Sequence, residues 1–300
     1  MSVLVVGSVA LDTIKTPLGE CCRVLGGSAT YSSVSASFFS GVNLVAVVGG
    51  DFPKEHIDLL KKRDVCLKGL DIKQDGKTFS WEGEYSKDFS DPKTIATHLN
   101  VFSEFNPKIP REYKNAEYLF LANIDPVIQK AVLNQIEKPK LVVCDTMNYW
   151  IENKRQDLID LLKNIDVFLL NESEARQLSG ETVIIKAARA ITKMGPKKII
   201  IKKGEHGSIF FSDGSVFCVP AYLLESVFDP TGAGDTFAGG FIGYLAKNDK
   251  IDDETIRKAI VYGSIMATFA VEDFSLRKLG NINEADISRR FEKFKSATCF

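Results

Sequence analysis

The residues most able to do chemistry stand together late in the chain, in a short run of small and acidic residues. The run reads Asp229-Pro230-Thr231-Gly232-Ala233-Gly234-Asp235. Pro230 favours a turn, and the small residues after it open directly into a predicted helix over 233–247. The backbone N–H groups of residues 232–234 would therefore lie at the positive end of that helix, where anions bind well. Phosphoryl transfer needs such a site, because its transition state spreads negative charge over the equatorial oxygens.

Asp235 lies in the first turn of the same helix, next to the predicted anion site. A carboxylate there could accept the proton of an attacking hydroxyl while the neighbouring amides hold a phosphate. The alternative is that Asp235 only complements the helix dipole, which stabilises a helix by about 0.3–1 kcal/mol. Because the carboxylate directly follows a glycine-rich turn, we favour the role of general base.

Short apolar runs alternate with longer amphipathic ones, which is typical of a parallel sheet with crossover helices. Buried strands are predicted at residues 3–6, 44–48, 119–122, 141–144, 167–170 and 199–201. Helices are predicted at residues 28–39, 53–63, 126–137, 154–163, 182–194, 233–247, 252–271 and 283–297. Two further runs, 208–211 and 216–219, read as a hairpin. We therefore expect an α/β fold whose mostly parallel sheet is covered by helices on both faces.

Two stretches break this alternation, residues 12–24 and about 70–110. In the second, Phe79, Trp81 and Tyr85 are interleaved with polar residues at a period close to two, which is typical of a strand with one buried face. We expect a small β-sheet that covers the open edge of the main sheet as a lid. Its exposed edges would let two copies pair, so a homodimer through the lid is also expected.

The run from Asp229 to Asp235 resembles the C-terminal signature of the ribokinase-like, or phosphofructokinase B-type, family of carbohydrate and nucleoside kinases. The resemblance extends over about residues 2–297. It implies a ribokinase-like three-layer α/β/α sandwich with a small β lid, as a single domain over residues 1–300. It also implies that the glycine-rich turn forms an anion hole and that Asp235 is the base.

Several residues resemble the family's substrate site. Gly26 and Gly27 are similar to its N-terminal Gly-Gly signature, with helix capping and close packing as the alternative for the two glycines. Asp12 is similar to the Asp that binds substrate hydroxyls. Many members carry Asn where this chain has Tyr31, so we expect the tyrosine ring to stack on a base or a sugar face. Ligands bind beyond the carboxyl ends of parallel strands. The polar residues that follow two predicted strands, Asn123 and Asp145, would therefore also face the substrate.

Two segments resemble the family's nucleotide site. Asn171 and Glu174 match its Asn-x-x-Glu motif and would orient Mg²⁺-bound water and the phosphates; a plain helix cap is the alternative for Asn171. Lys202, Gly204 and Gly207 belong to a loop that would flank ATP, with an ordinary glycine turn as the alternative.

The same resemblance implies ATP and Mg²⁺ as cofactors. The metal would be held near Glu174 through water. Backbone oxygens of Asp229 and Thr231 could bind a monovalent cation such as K⁺.

Composition argues against several other classes of protein. The chain has 38 basic and 39 acidic residues, which does not favour nucleic acid or an anionic membrane as a partner. Residues 24–50 carry no charge, but their many glycines and serines favour a buried helix and strand over a membrane span. The first residues show no signal-peptide pattern, so we expect a cytoplasmic protein. No spacing of cysteines and histidines indicates a zinc site.

Two nucleotide-binding motifs can be rejected. Gly76-Lys77-Thr78 lacks the earlier glycine of a Walker A loop, because Asp71 stands in that position. No G-x-G-x-x-G follows a predicted strand, so a Rossmann dehydrogenase is a weak alternative. The sequence therefore predicts an ATP-dependent kinase that phosphorylates a hydroxyl of a sugar. A nucleoside kinase is the nearest alternative, and a non-catalytic metabolite sensor is a further one.

Overall fold

A computed structural model of the chain describes residues 1–89 and 92–298; residues 90 and 91, which fall within the predicted lid, and residues 299 and 300 lie outside it. Within the described residues the strands are β1 (Ser2–Val6), β2 (Ala10–Thr16), β3 (Gly19–Gly26), β4 (Gly41–Gly49), β5 (Val65–Lys73), β6 (Ser80–Glu84), β7 (Lys93–His98), β8 (Tyr118–Leu121), β9 (Leu141–Asp145), β10 (Val167–Asn171), β11 (Lys198–Lys202), β12 (Ser208–Ser212) and β13 (Ser215–Val219).

The α-helices within the same residues are α1 (Ser28–Ala36), α2 (Lys54–Lys62), α3 (Pro126–Leu133), α4 (Asn148–Asn153), α5 (Arg155–Leu162), α6 (Glu172–Ser179), α7 (Ile184–Thr192), α8 (Ala233–Asn248), α9 (Asp253–Ala270) and α10 (Glu284–Thr298). Several begin at recognisable caps. Asp125 accepts a hydrogen bond from the Val127 amide before α3, and Asp252 accepts one from the Thr255 amide before α9.

The main sheet has the strand order β13-β12-β11-β10-β9-β8-β1-β4-β5. Strands β1, β4, β5 and β8 to β11 run parallel, with Val3 of β1 opposite Val42 on one side and Tyr118 on the other. The antiparallel hairpin of β12 and β13 extends one edge. The mostly parallel sheet and the terminal hairpin expected from the sequence are confirmed.

Both faces of this sheet are buried. Along β1, Val3 and Val5 belong to one hydrophobic cluster and Leu4 and Val6 to another, and all four side chains are fully buried. Side chains alternate across a strand, so each face of the sheet packs against its own layer of helices. This explains why the strand reads as a continuous apolar run and confirms the three-layer arrangement.

A second, four-stranded sheet has the order β3-β2-β6-β7. The second predicted lid segment, about 70–110, extends beyond the strands of this sheet, whereas the first, 12–24, lies within them. Residues 70–73 belong to β5, which pairs in parallel with β4 at the edge of the main sheet. Residues 100–104 form a 3₁₀ turn that packs against the main sheet through Val101 and Phe102. The strands of this sheet therefore come from residues 10–26 and 80–98, and β5 is an edge strand of the main sheet.

The uncharged stretch from residue 24 to residue 50 forms the end of β3, helix α1 and strand β4. All nine residues of α1 are buried. Two of its hydroxyls bond to nearby carbonyls: Ser32 donates to the Ser28 carbonyl at 2.7 Å and Ser35 donates to that of Thr236 at 2.6 Å. A helix between a sheet and another helix has no solvent-facing side for charge. Among the described residues, no helix is both long enough and apolar enough to cross a membrane.

Helix α1 lies directly against α8, and glycines make this approach possible. A Cβ placed on Gly239 would lie 2.2 Å from the Ser32 carbonyl oxygen, and one on Gly243 would lie 2.8 Å from the Ala36 Cα. On its other side α8 meets α9, where a Cβ on Gly240 would lie 3.1 Å from the Gly263 Cα. The glycines of α8 therefore set its distance from both neighbouring helices.

We expect Gly239→Ala to lower the free energy of unfolding by about 1–3 kcal/mol, the usual cost of overpacking. In an open helix the same change would stabilise the protein by about 1 kcal/mol, so the sign tests the close contact. Urea denaturation measures it. Gly41→Ala is the matched control, because its Cβ would meet nothing closer than Ser2 Cβ at 3.6 Å. Equal stability of the two variants would contradict the proposed packing.

Candidate active site

The turn before α8 is held in a conformation that only glycine adopts readily. Gly232 caps the helix with φ 75° and ψ 3°, in the left-handed region. A Cβ at this position would also lie 2.4 Å from the ring of Tyr31. Any larger residue would therefore strain the backbone and collide with the ring, so both restrictions keep the helix end open.

Some backbone amides of this turn donate hydrogen bonds to carbonyl groups of the protein, and others do not. The Ala233 amide donates to the Pro230 carbonyl at 3.2 Å, and the Thr236 amide donates to the Gly232 carbonyl at 2.8 Å. No acceptor among the described residues receives a hydrogen bond from the amides of Gly232 or Gly234. The predicted anion hole included Ala233, whose amide is engaged in the turn. Gly232 and Gly234 are the donors that remain for an anion.

Asp235 occupies the first turn of α8 and stays partly exposed. Burial of its carboxyl group raises its pKa to about 7, and the nearby carboxylate of Asp145 adds to the rise, while Lys202 opposes it. A base with a pKa near neutrality suits proton transfer at physiological pH. The cleft thus provides a carboxylate that can both accept and release a proton.

Asp145 and Lys202 form a buried ion pair beside Asp235. Lys202 Nζ donates to Asp145 Oδ2 at 2.8 Å, and the two side chains are only 15% and 4% exposed. Burial alone would lower the pKa of Lys202, but the carboxylates of Asp145 and Glu174 outweigh it and raise that pKa. The sequence suggested separate sites for the two residues, one for substrate and one for nucleotide. The structure joins them across the ends of β9 and β11.

The same ammonium group lies at the anion turn. A Cβ on Gly234 would be 3.0 Å from Lys202 Nζ, so the lysine reaches the open end of α8. A helix N-terminus, two uncommitted amides and a buried cation together favour a bound phosphate.

Asp12 lies on β2 of the lid sheet, facing the two predicted glycines. Its side chain is 4% exposed, and burial raises its pKa to about 7, with Asp229 as the next cause. A Cβ on Gly26 would lie 1.9 Å from Asp12 Oδ2, and Gly27, with φ 95°, begins α1 with its Cα close to the Ser8 carbonyl. The glycines therefore let the chain pass close to this carboxyl group.

Tyr31 is placed differently from the expectation. Its side chain is 1% exposed and its ring packs beneath Gly232, so neither face is open to a base or a sugar. The stacking role predicted for it does not fit this position. Its hydroxyl is buried and has no hydrogen-bond partner among the described residues. Burial raises the pKa of this hydroxyl, with the carboxylates of Asp229 and Asp12 as the next causes. The ring thus supports the turn from below.

Asn171 and Glu174 form a capping box at the start of α6. The Asn171 side chain accepts a hydrogen bond from the Glu174 amide at 2.8 Å, and Glu174 Oε2 accepts one from the Asn171 amide at 2.7 Å. Capping, which the sequence offered as the alternative for Asn171 alone, therefore accounts for both residues. The motif is a rigid helix start whose glutamate is also close enough to raise the pKa of Lys202.

The glycines after β11 shape a turn. Gly204 has φ 54° with open space around it, and Gly207 has φ 83° with its Cα against the Val219 carbonyl. The Lys203 amide donates to the Gly207 carbonyl at 2.7 Å. An ordinary glycine turn therefore accounts for both glycines. Their position beside ATP stays a prediction.

Two contacts involve residues that sequence reasoning did not assign to the site. Trp150 Nε1 donates to Asn123 Oδ1 at 3.0 Å, so the amide predicted to meet substrate is oriented by an indole. The hydroxyl groups of Tyr85, from the lid, and Thr231 are hydrogen-bonded at 3.0 Å. The alternation around Tyr85 predicted the strand, but it carried no signal for a partner 146 residues away.

Asp229 is fully buried, and its carboxylate supports the turn. It accepts a hydrogen bond from the Thr231 amide at 2.9 Å and a longer one from the Ser275 amide at 3.4 Å. Burial raises the pKa of Asp229, and these hydrogen bonds offset part of the rise. Among the described residues, no backbone amide donates to the carbonyl oxygens of Asp229 or Thr231. The two carbonyl oxygens predicted to bind a cation thus accept no hydrogen bond from these amides.

Comparisons with known proteins agree with this geometry. The family model described as pfkB family carbohydrate kinase matches residues 2–279. A cytidine kinase of Thermococcus kodakarensis is 30% identical over 259 residues, covering 84% of this chain and 91% of that protein.

Solved structures show the same fold. The nucleoside kinase of Methanocaldococcus jannaschii, an archaeal member of the ribokinase family, has a TM-score of 0.78 at 21% identity, covering 97% of this chain and 98% of that one. A putative ribokinase II from E. coli, in complex with ATP and Mg²⁺, has a TM-score of 0.78 at 18% identity and covers 97% and 99%. The architecture is therefore ribokinase-like, with a small sheet in the place of a lid. The chain belongs to the pfkB family of carbohydrate kinases, and it is a phosphotransferase with an alcohol group as acceptor.

Proposed function

We propose that this kinase transfers the γ-phosphate of ATP to a hydroxyl group of a sugar, or of the sugar part of a nucleoside, with Asp235 as general base. The observation that carries the proposal is the meeting of three features at one helix end. Asp235 has a pKa of about 7, the amides of Gly232 and Gly234 are uncommitted, and Lys202 reaches the same turn.

The residues divide the work as follows. Asp12 and the backbone at Gly26 and Gly27 bind hydroxyl groups of the acceptor. Asp235 accepts the proton of the attacking hydroxyl. The amides of Gly232 and Gly234 stabilise charge that develops on the transferred phosphoryl group.

Lys202 adds positive charge on the nucleotide side of the cleft, where Gly204 and Gly207 would flank ATP. Asp145, predicted to face the substrate, holds this lysine in place. Asn123, oriented by Trp150, is the remaining acceptor contact that we propose.

Mg²⁺ fits the residues present. Among the described residues, no group of three or more His, Cys, Asp or Glu could hold a metal ion by itself. Magnesium in kinases is held mainly by water and substrate phosphates, with one or two carboxylates, and it neutralises phosphate charge. Glu174, fixed by its capping box, would bind such water. The carbonyl oxygens of Asp229 and Thr231 would bind K⁺ if a monovalent cation is used.

The lid contributes to the site through Asp12 and Tyr85. The strand order of this sheet leaves β3 and β7 as its edge strands, and the side chain of Ile95 in β7 is 48% exposed. An unpaired edge strand with an exposed apolar side chain favours pairing with a second copy, so we propose a homodimer through the lid. Use of ATP fits a cytoplasmic location, which stays a prediction.

A nucleoside acceptor is the second candidate, and a specific observation favours it. The similarity to a cytidine kinase covers 91% of that protein at 30% identity. We expect turnover with at least one member of a panel of sugars, sugar acids, cytidine and other nucleosides. Phosphorylated product is measured by mass spectrometry together with release of ADP. The ranking of kcat/KM between ribose and cytidine decides between the two acceptor classes, and ATP binding without product from any acceptor would favour a sensor.

We expect Asp235→Asn to lower kcat by about 10²–10⁴, as is usual for loss of a general base. KM for ATP should change little, because the amides and Lys202 remain. Steady-state kinetics with the best acceptor measures both parameters.

The matched control is Asp253→Asn, which removes a carboxylate from the first turn of α9, away from the cleft. It should leave kcat near the wild-type value. If Asp235 only complements the helix dipole, the two variants will show similar small losses of stability and nearly unchanged kcat.

The pH dependence of kcat/KM should follow the charges around Asp235. The base must be ionised, so the rate should rise with pH through about 7 in the wild type. Asp145→Asn removes a negative neighbour, which lowers the pKa of Asp235 and moves this limb to lower pH. Lys202→Met removes a positive neighbour and moves it to higher pH. The pKa of Asp12 is also about 7, and Asp235 contributes to its rise. The variant Asp12→Asn therefore shows how much of the pH dependence comes from Asp12. Shifts of the same sign in the Asp145 and Lys202 variants would contradict the assignment.

A further inference from the structure

A second cavity lies outside the cleft of Asp235. It has a volume of about 600 Å³ and is lined by β3, by α2 and the residue after it, and by the segment 275–281. Neither Asp235 nor the glycine-rich turn contributes to its walls. Its size is within the range of small-molecule sites, which usually measure about 300–1,000 Å³. We call this cavity the α2 groove.

Positive charge predominates in the α2 groove. Its cationic lining residues are Arg23, Lys62, Arg63 and Arg277, and its carboxylates are Glu55 and Asp58. With His56 neutral, the lining has a formal charge of +2, whereas the whole chain has a net charge of −1. Arg23 is paired with Asp51 at 3.0 Å. Lys62, Arg63 and Arg277 form no ion pair with any carboxylate of the described residues.

Arg63 is the clearest example of a groove cation without a carboxylate partner. Its guanidinium carbon lies 3.6 Å from the centre of the Phe38 ring, and Nε donates to Ser37 Oγ at 3.4 Å. Burial lowers the pKa of this guanidinium, and Asp64 offsets only part of the effect. A partly buried cation without a carboxylate partner has lost hydration that an anion would restore. The planar donor group of arginine suits phosphate in particular.

The floor of the groove is apolar. Val24 and Leu59 are partly exposed apolar residues of its lining, whereas Leu25 and Leu276 are 3% and 2% exposed and belong to the core. An inorganic anion would leave this surface uncovered. A small organic molecule with one phosphate group would place its charge on the arginines and its carbon skeleton on Val24 and Leu59.

The back wall of the groove is shared with the active site. The Ser275 hydroxyl donates to the Leu25 carbonyl, and the Ser275 amide donates to Asp229 Oδ2 at 3.4 Å. Leu25 directly precedes Gly26, which lies against Asp12. A ligand that shifts this wall therefore acts on the residues proposed to bind the acceptor.

We propose that the α2 groove binds a small organic phosphate, held by Arg63, Lys62 and Arg277, and that this ligand changes the affinity of the kinase for its acceptor. The site is distinct from the anion turn at Gly232 and Gly234. Coupling between two binding sites is reciprocal, so the acceptor must change the affinity for the phosphate by the same factor.

Calorimetric titration with ribose 5-phosphate tests the site at constant ionic strength. Ribose, a candidate acceptor, is the uncharged control, and its affinity should be the same in wild type and in every variant. Wild type should bind the phosphate, and both Arg63→Gln and the double variant Lys62→Gln/Arg277→Gln should bind it about tenfold or more weakly, as for loss of charge-assisted hydrogen bonds. The double variant keeps the packing of Arg63 on Phe38, so it remains informative if Arg63→Gln does not fold. Lys61→Gln, an exposed neighbour on α2 that does not line the groove, should bind like wild type.

Ribose 5-phosphate could also bind at the anion turn, but none of these variants alters that turn, and ADP binding should be the same in all of them. No binding to wild type would overturn the proposal. So would equal affinity in wild type and the double variant, or an equal loss in Lys61→Gln. The coupling is tested by KM for the acceptor at saturating ribose 5-phosphate in wild type and in the double variant. An unchanged KM in wild type, or an equal change in both proteins, would overturn it. The binding measurement needs no turnover, so it stands even if the proposed kinase function fails.

Discussion

The energy of holding several carboxyl groups in one cleft is the constraint on which this site depends. Burial raises the pKa of Asp12 and of Asp235 from 3.8 to about 7. For Asp12, which is 4% exposed, this corresponds to about 4 kcal/mol at most when the group is ionised. The folded pKa lies above the unfolded one, so folding takes up a proton between about pH 4 and 7. The contribution of the group to stability therefore falls as pH rises through that window. The Lys202 ammonium opposes part of this cost at Asp235.

The rest of the fold supplies the rigidity that such a cleft needs. Parallel strands bring Asp145 and Lys202 to the same edge of the main sheet, although 57 residues separate them in the chain. Glycines on α8 let α1 pack closely, which places Tyr31 beneath Gly232 and prevents the turn from collapsing. Because neither helix can move without separating buried surfaces, the amides of the turn point at a fixed position, as electrostatic stabilisation of a transition state requires.

The sheet of β2, β3, β6 and β7 contributes residues to the candidate site. Asp12 lies on β2, and Tyr85, just beyond β6, is hydrogen-bonded to Thr231 of the turn. Strands β2 and β6 are neighbours in parallel register, with Leu11 opposite Ser80. A movement of the lid would therefore carry Asp12 and Tyr85 together. The residue that we propose to bind the acceptor and the hydroxyl that contacts the turn are thus held by the same sheet.

The sequence by itself determined the features that depend on residues close together in the chain. The run from Asp229 to Asp235 predicted the turn, the helix start and the family, and the apolar runs predicted most strands of the parallel sheet. The capping box of Asn171 and Glu174 was also readable locally, although its meaning for Glu174 was missed. Contacts between distant residues were decided only by the tertiary structure: the pairing of Asp145 with Lys202, the burial of Tyr31, and the place of β5 in the main sheet instead of the lid. Local pattern states which side chains are apolar or charged, but their partners depend on how strands are ordered and how closely helices pack.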